Sequence, residues 1–363
     1  MENGKKRVII IGIVTILLAL GILGIAISFL GNKTKKESQV ETVMEELANW
    51  ESRRYSSSID QAGTPSVDWY VFAMSRGGYQ ENYQDYRENL SRYVKECYQK
   101  NETLSLDATT EYHRISLALL AAGGDPENVE GINLIAEGTY YRERIAPLNR
   151  QGIIGWIWAC STLSTKDYEI PADADTTKEE IISEILAYQT VDGGFSMGES
   201  QADPDITAMV IQALAMHTIS IQSKSINEKS DNTLENKYTY VNRKTNQVTT
   251  KSLKTVMDEA LDCLATLQLP DGSFGYEGEP CTESTAQVLV ALSCLNINPT
   301  KEKRFLKGKQ NVLTALMEFQ NADGGFPHIK GEESDGIAGS QALYALSAWK
   351  RCKEGQPTIY NFR

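Results

Sequence analysis

The sequence predicts an all-α protein assembled from repeated helical hairpins, and three observations carry that expectation. Apolar residues recur at helical spacing through almost the whole chain, while strand signals are sparse. One unit, made of a helix end, a Gln, an Asp-Gly-Gly/Ser-Phe turn, a polar loop and an apolar helix, occurs three times in the same order, opening at Gln189, Gln268 and Gln320. Asp271 and Asp323 lie 52 positions apart, and Asp192 and Asp271 lie 79 apart. Without a polar insertion of roughly thirty residues in the longer interval, the period is close to the ~20–50 residues of repeat architectures. At Asp192-Gly193-Gly194-Phe195 the glycines admit positive φ, and the Asp can bond its own backbone.

These repeats resemble the prenyltransferase and squalene oxidase repeat. That repeat builds the α/α toroids of squalene and terpene cyclases, of protein prenyltransferase β subunits, and of the α domain of cobalamin-binding transport proteins. The resemblance implies concentric inner and outer helices around a central cavity, here an α6/α6 toroid. Outer helices are expected over 38–57, 84–99, 126–137, 178–189, 252–268 and 306–320. Inner helices are expected over 65–75, 108–121, 152–163, 204–216, 283–295 and 336–350. Polarity separates the two sets. The stretch 178–189 carries Lys178, Glu179, Glu180 and Glu184 on a solvated face, whereas 204–216 is apolar nearly all round. In the first three units the nearest relatives of the turn are Arg76-Gly77-Gly78-Tyr79 and Ala122-Gly123-Gly124-Asp125.

Ahead of the toroid, Lys5-Lys6-Arg7 precede an uncharged apolar run over 8–30. Such a run is long enough to cross a ~30 Å hydrocarbon core. A cleaved signal peptide is the alternative, but its apolar region would usually be ~7–15 residues. The expected domains are therefore 1–36, a cytoplasmic stub, transmembrane signal-anchor and juxtamembrane segment, and 37–363, the toroid. The toroid is expected outside a single-pass cell-membrane anchor. A Ser-, Asn-, Lys- and Thr-rich stretch at about 218–251 reads as a polar loop insertion, with an exposed hairpin around Asn242–Asn246. Residues 37–363 carry 30 Lys and Arg against 47 Asp and Glu, a net −17, which excludes nucleic acid as a partner.

The inner helices open on acidic and hydroxyl residues, among them Asp203, Asp205, Thr207, Glu283 and Thr285. Helix capping explains each singly. Collectively, in a toroid all inner N-termini point to one end of the ring, so these groups would converge on one cavity mouth. Aromatic residues nearby, Trp69, Tyr70, Tyr112, Trp156, Tyr276 and Tyr344, are candidates to line it. Squalene-hopene-type cyclases carry Asp-x-Asp-Asp, whose middle Asp protonates the substrate; Asp203-Pro204-Asp205-Ile206 lacks the final Asp. Asp205 is the catalytic candidate under that reading. The Asp-x-Cys and distant His that hold zinc in protein prenyltransferases are missing from the sequence pattern, so no metal and no cofactor is expected. The six cysteines form no CxxC pair.

Two functions follow from these observations. The first is a membrane-anchored extracytoplasmic binding module for a small amphipathic molecule, a corrinoid among the candidates, or for an envelope protein partner. The second is a terpene- or squalene-cyclase-like enzyme acting on an isoprenoid, with Asp205 as acid and aromatic side chains stabilising carbocations.

Overall fold

The computed structural model describes residues 38–142, 146–198, 201–227 and 237–363, with side chains of 218–227 outside the description. The chain divides into two compact units, residues 1–45 and 46–363. Of the first, 38–45 are described and are helical. Among the described residues no helix is long and apolar enough to cross a membrane. The expected membrane helix and the rest of segment 1–36 lie outside those residues.

In the second unit the chain alternates between inner and outer helices. The inner set is α2 (Pro65–Gly77), α4 (Thr110–Ala121), α5 (Ile153–Ser164), α7 (Pro204–Asn227), α9 (Thr282–Cys294) and α11 (Gly336–Lys353). Each packs on the next, and α11 packs back on α2, so the six close a ring. The outer set is α1 (helical over 46–55 within this unit), α3 (Tyr83–Asn101), α6 (Lys178–Leu186), α8 (Leu253–Leu267) and the short α10 (Val312–Met317). Inner helices are buried nearly all round: in α9 every residue but Glu283 is buried. Outer α3 buries only Tyr86, Leu90 and Val94. The fold is the expected helical α/α toroid.

The repeated motif builds one corner three times. Gly193, Gly272 and Gly324 adopt φ of 89°, 88° and 89°, which a glycine reaches without strain. The Nε2 of Gln189, Gln268 and Gln320 donates to the carbonyl oxygens of these glycines at 2.9, 2.9 and 3.2 Å. Phe195, Phe274 and Phe326 follow, fully buried. Their carbonyl oxygens accept the N–H groups of Asp203, Cys281 and Asp335 at 2.8, 3.0 and 2.8 Å. The corner therefore sets where each following inner helix starts.

Two elements depart from expectation. The outer helix foreseen over 126–137 does not form. A tight turn takes its place, with positive φ at Glu130 and Gly131 and the Asn128 side chain accepting the Gly131 N–H at 3.2 Å, followed by one π-helical turn, Ala136–Tyr140. In the stretch foreseen as a loop at about 218–251, α7 instead runs on to Asn227, while the foreseen hairpin forms where β1 (Lys237–Val241) pairs antiparallel with β2 (Val248–Ser252). Asn242 closes that hairpin by accepting the Lys244 and Thr245 N–H groups at 2.9 Å each, and its Nδ2 donates to the Gln189 carbonyl at 2.8 Å.

Candidate functional site

All six inner helices contribute to one cavity of about 290 Å³ inside the ring. It sits toward their N-terminal ends, and the contributing residues recur at helical spacing. Pro65 and Trp69 come from α2, Thr110 and Arg114 from α4, and Asp205 and Met209 from α7. Glu283 and Gln287 come from α9, Trp158 from α5, and Gln341 and Tyr344 from α11. Residues four apart share a helix face, so an acidic or hydroxyl residue in the first turn brings its i+4 neighbour into the same wall.

The aromatic wall centres on Trp69. Its ring centroid lies 5.5 Å from Trp158 and 6.0 Å from Tyr344, both tilted. Facing acids complete the site. Burial pushes the Asp205 carboxyl up to about 6, with the nearby charges of Asp203 and Glu283 adding to the rise; a hydrogen bond with Ser284 and the proximity of His328 oppose it. Its Oδ1 is buried without a hydrogen-bond partner. Glu283 is also raised, chiefly by burial, while its contact with His328 Nδ1 at 2.8 Å pulls the other way. That hydrogen bond in turn raises His328.

Arg114 is the only cation among the lining residues, and its donors are engaged. Nε donates to buried Asp68 at 2.9 Å, Nη2 to the Gly63 carbonyl at 2.7 Å, and Nη1 and Nη2 to the Glu111 carboxylate at 2.6 and 2.8 Å. Asp68 further accepts the Tyr86 hydroxyl at 2.8 Å and the Gly63 N–H at 2.9 Å. The guanidinium is thus neutralised by two carboxylates.

Of the residues singled out in the sequence, the cavity gathers Trp69, Asp205, Glu283 and Tyr344. Those of the others that lie on helices face elsewhere because each step along a helix turns about 100°. Thr207 and Thr285 come two residues after the acids and face the corners. Thr207 Oγ1 accepts the Phe195 N–H at 2.9 Å, and Thr285 Oγ1 accepts that of Phe274 at 3.1 Å. Tyr112 follows Thr110 by two and bonds the Tyr98 and Thr103 hydroxyls at 3.1 and 2.8 Å. Tyr70 adjoins Trp69 but bonds Glu81 and packs on Tyr55. Trp156 precedes Trp158 by two, and its Nε1 is buried without a partner. Asp203 precedes α7 and accepts the Ile206 N–H at 2.9 Å as a cap. Tyr276 lies on a short β-ribbon and is 65% exposed. Trp158, Arg114, Met209, Gln287 and Gln341 were not singled out; the i+4 spacing from Asp205 and Glu283 would have found Met209 and Gln287.

The fold also brings the distant His328 against two residues at the start of α9. Cys281 Sγ, a Glu283 oxygen and a His328 nitrogen lie within 4.8 Å of one another. Zinc takes these ligand types. The Thr282 N–H and hydroxyl hold His328 and Pro327 there, bonding their carbonyls at 3.0 and 2.6 Å. Sγ contacts the Ser284 hydroxyl at 3.0 Å, so Cys281 and His328 both have protein partners.

A closed ring of inner helices, backed by outer helices and enclosing an aromatic-walled cavity, is the architecture of an α/α toroid. Residues 139–360 match the prenyltransferase alpha-alpha toroid domain, and the chain belongs to that family. Over 102 residues, 28% of this chain, it is 28% identical to drimenyl diphosphate synthase of Streptomyces showdoensis, and the match spans 19% of that protein. The apo type II terpene cyclase MstE from Scytonema superposes with a TM-score of 0.47 at 12% identity, over 85% of this chain and 99% of that one. A single-site variant of the same cyclase gives 0.46 at 11%, over 86% and 99%.

Proposed function

We propose that the protein is an isoprenoid cyclase initiated by proton transfer, with Asp205 as the general acid. The observation that carries this reading is the Asp205 carboxyl itself, raised to about 6 with an unpartnered oxygen on a cavity walled by Trp69, Trp158 and Tyr344. Sequence similarity to a drimenyl diphosphate synthase lends support over a short part of the chain. The substrate alkene takes the Asp205 proton, its electron pair forming the new C–H bond. A neighbouring alkene closes a C–C bond on the resulting cation, and loss of one proton ends the sequence. Proton gained equals proton lost, so the product is an isomer of the substrate. The aromatic faces stabilise the cation. Ile206 stands where the cyclase motif has its final Asp, so burial and the charges of Asp203 and Glu283, rather than a third Asp, raise the Asp205 carboxyl. The cavity volume, near the lower end of the about 300–1,000 Å³ of small-molecule sites, favours a short isoprenoid over a corrinoid.

The membrane-anchored binding module that the sequence also suggests finds no support among the described residues, and the raised acid in an aromatic cavity favours catalysis. Incubation with farnesol, geranylgeraniol and farnesyl diphosphate, followed by gas chromatography–mass spectrometry, tests the reading. Cyclic isomers are expected from the wild-type chain and not from Asp205→Asn. No cyclic product from any of the three, or equal product from the variant, counts against it.

A further inference from the structure

A relay of three glutamines crosses the cavity wall, and its direction is fixed at one end. Gln212 Nε2 lies 2.9 Å from the backbone carbonyl of Gln287 and 2.8 Å from that residue's Oε1. A backbone carbonyl only accepts, so the Gln212 atom facing it must be the amide nitrogen. Gln212 Oε1 then accepts the Tyr360 hydroxyl at 3.0 Å. Gln287 must turn its oxygen toward Gln212, which leaves its nitrogen to donate onward. That nitrogen donates to Gln341 Oε1 at 2.9 Å and to Tyr344 Oη at 2.6 Å.

This assignment uses both amide hydrogens of Gln212 and of Gln287. Two donors are left over at the far end, the Gln341 amide NH2 and the Tyr344 hydroxyl hydrogen. Both belong to residues lining the cavity, and both groups are held against the same nitrogen. A donor group facing an apolar ligand loses its hydration and gains nothing in return. No lining cation is free to meet an anion, since Arg114 is neutralised by Asp68 and Glu111, and Asp205 and Glu283 repel one.

We propose that the cavity selects an uncharged ligand bearing a hydroxyl or carbonyl oxygen, which accepts from the Gln341 amide and the Tyr344 hydroxyl. The hydrocarbon body of this ligand packs on Trp69 and Trp158. The inference rests on the cyclase reading for the isoprenoid character of that body, and it makes Gln341 and Tyr344 specificity-determining residues. A diphosphate group is not accommodated inside the ring.

The test measures binding in the Asp205→Asn background, where turnover cannot deplete the ligand. Farnesol, its oxygen-free counterpart farnesene and farnesyl diphosphate are titrated against the full chain, read by tryptophan fluorescence. Farnesol is expected to bind about tenfold or more tighter than either of the others. Adding Gln341→Leu or Tyr344→Phe should weaken farnesol several-fold, leave farnesene unchanged and preserve the circular dichroism spectrum. Should the Gln341→Leu substitution disturb folding, Gln341→Met provides the second reading. Farnesene or the diphosphate binding as tightly as farnesol, failure of all three to bind, or an unchanged farnesol preference in both variants overturns the proposal. A cyclase without this selectivity still forms product while showing no preference, whereas a non-catalytic site with it shows the preference and forms none.

Discussion

The carboxyl of Glu51 on α1 fills the space that Gly339 on α11 leaves empty. A Cβ at position 339 would collide with Glu51 Oε1, while Oε2 accepts the Ser340 hydroxyl at 2.9 Å. Gly339 stands four residues after the corner-bonded Asp335, as Thr207 stands four after Asp203 and Thr285 four after Cys281. In this repeat a carboxyl from the neighbouring outer helix takes the space of the threonine side chain.

That carboxyl is fully buried, its Oε1 has no partner, and burial lifts it to about 8. A carboxyl raised above its unfolded value binds its proton more tightly when folded, so its contribution is complete below about 4.5 and is lost as pH rises through about 8. Thermal unfolding of the wild type should fall across that window. Glu51→Gln, which keeps a donor-free oxygen for Ser340 and carries no charge, should flatten the fall and raise Tm above pH 7. Parallel curves for the two proteins would remove Glu51 as the cause.

Thr207 and Thr285 tie their inner helices to the preceding corner rather than to a ligand. The Thr207 hydroxyl accepts the Phe195 N–H and donates to the same residue's carbonyl at 3.2 Å, whereas the Thr285 hydroxyl accepts the Phe274 N–H and donates to the Cys281 carbonyl at 2.8 Å. Thr207→Val should cost about 1–3 kcal/mol in denaturant unfolding by leaving a buried N–H unsatisfied. Ligand affinity should be unchanged after correction for the unfolded fraction.

The Asp68–Arg114 pair is almost wholly shielded from solvent, with side chains 0% and 8% exposed. Asp68→Ala removes one of the two carboxylates around a buried guanidinium and should destabilise the chain by about 3–5 kcal/mol. Arg114→Met combined with Asp68→Ala should recover part of that loss, since no buried charge then lacks its partner. Additive losses in the double-mutant cycle would contradict the pairing.

Asp205 must be protonated to act as an acid. With its carboxyl at about 6, kcat/KM for product formation should be level below that value and fall about tenfold per pH unit above it. Glu283→Gln removes a neighbouring negative charge that raises Asp205, so the falling limb should move to lower pH. An unmoved limb would show that Glu283 does not act on Asp205.

The corners were legible in the sequence because their determinants are local. Gln189, Gly193 and Phe195 lie within seven positions, and each acts through its own neighbourhood. The missing outer helix over 126–137 was not legible, since the Asn128–Gly131 turn overrides an otherwise helical apolar spacing. Within the site, Asp205 and Glu283 stand out as acids at helix starts. Which aromatics share their face depends on helix rotation, and a shift of two positions exchanges Trp158 for Trp156. The glutamine relay was illegible for a different reason: Gln212, Gln287 and Gln341 are 75 and 54 positions apart and meet only once the ring has closed.

The central claim is that Asp205 delivers a proton to carbon. Reaction in D2O with farnesol and geranylgeraniol, followed by mass spectrometry of the cyclic product, tests it most directly. One deuterium on carbon is expected for the wild type, with no product from Asp205→Asn. A cyclic product without carbon-bound deuterium, or one that the variant makes at the wild-type rate, would contradict the claim.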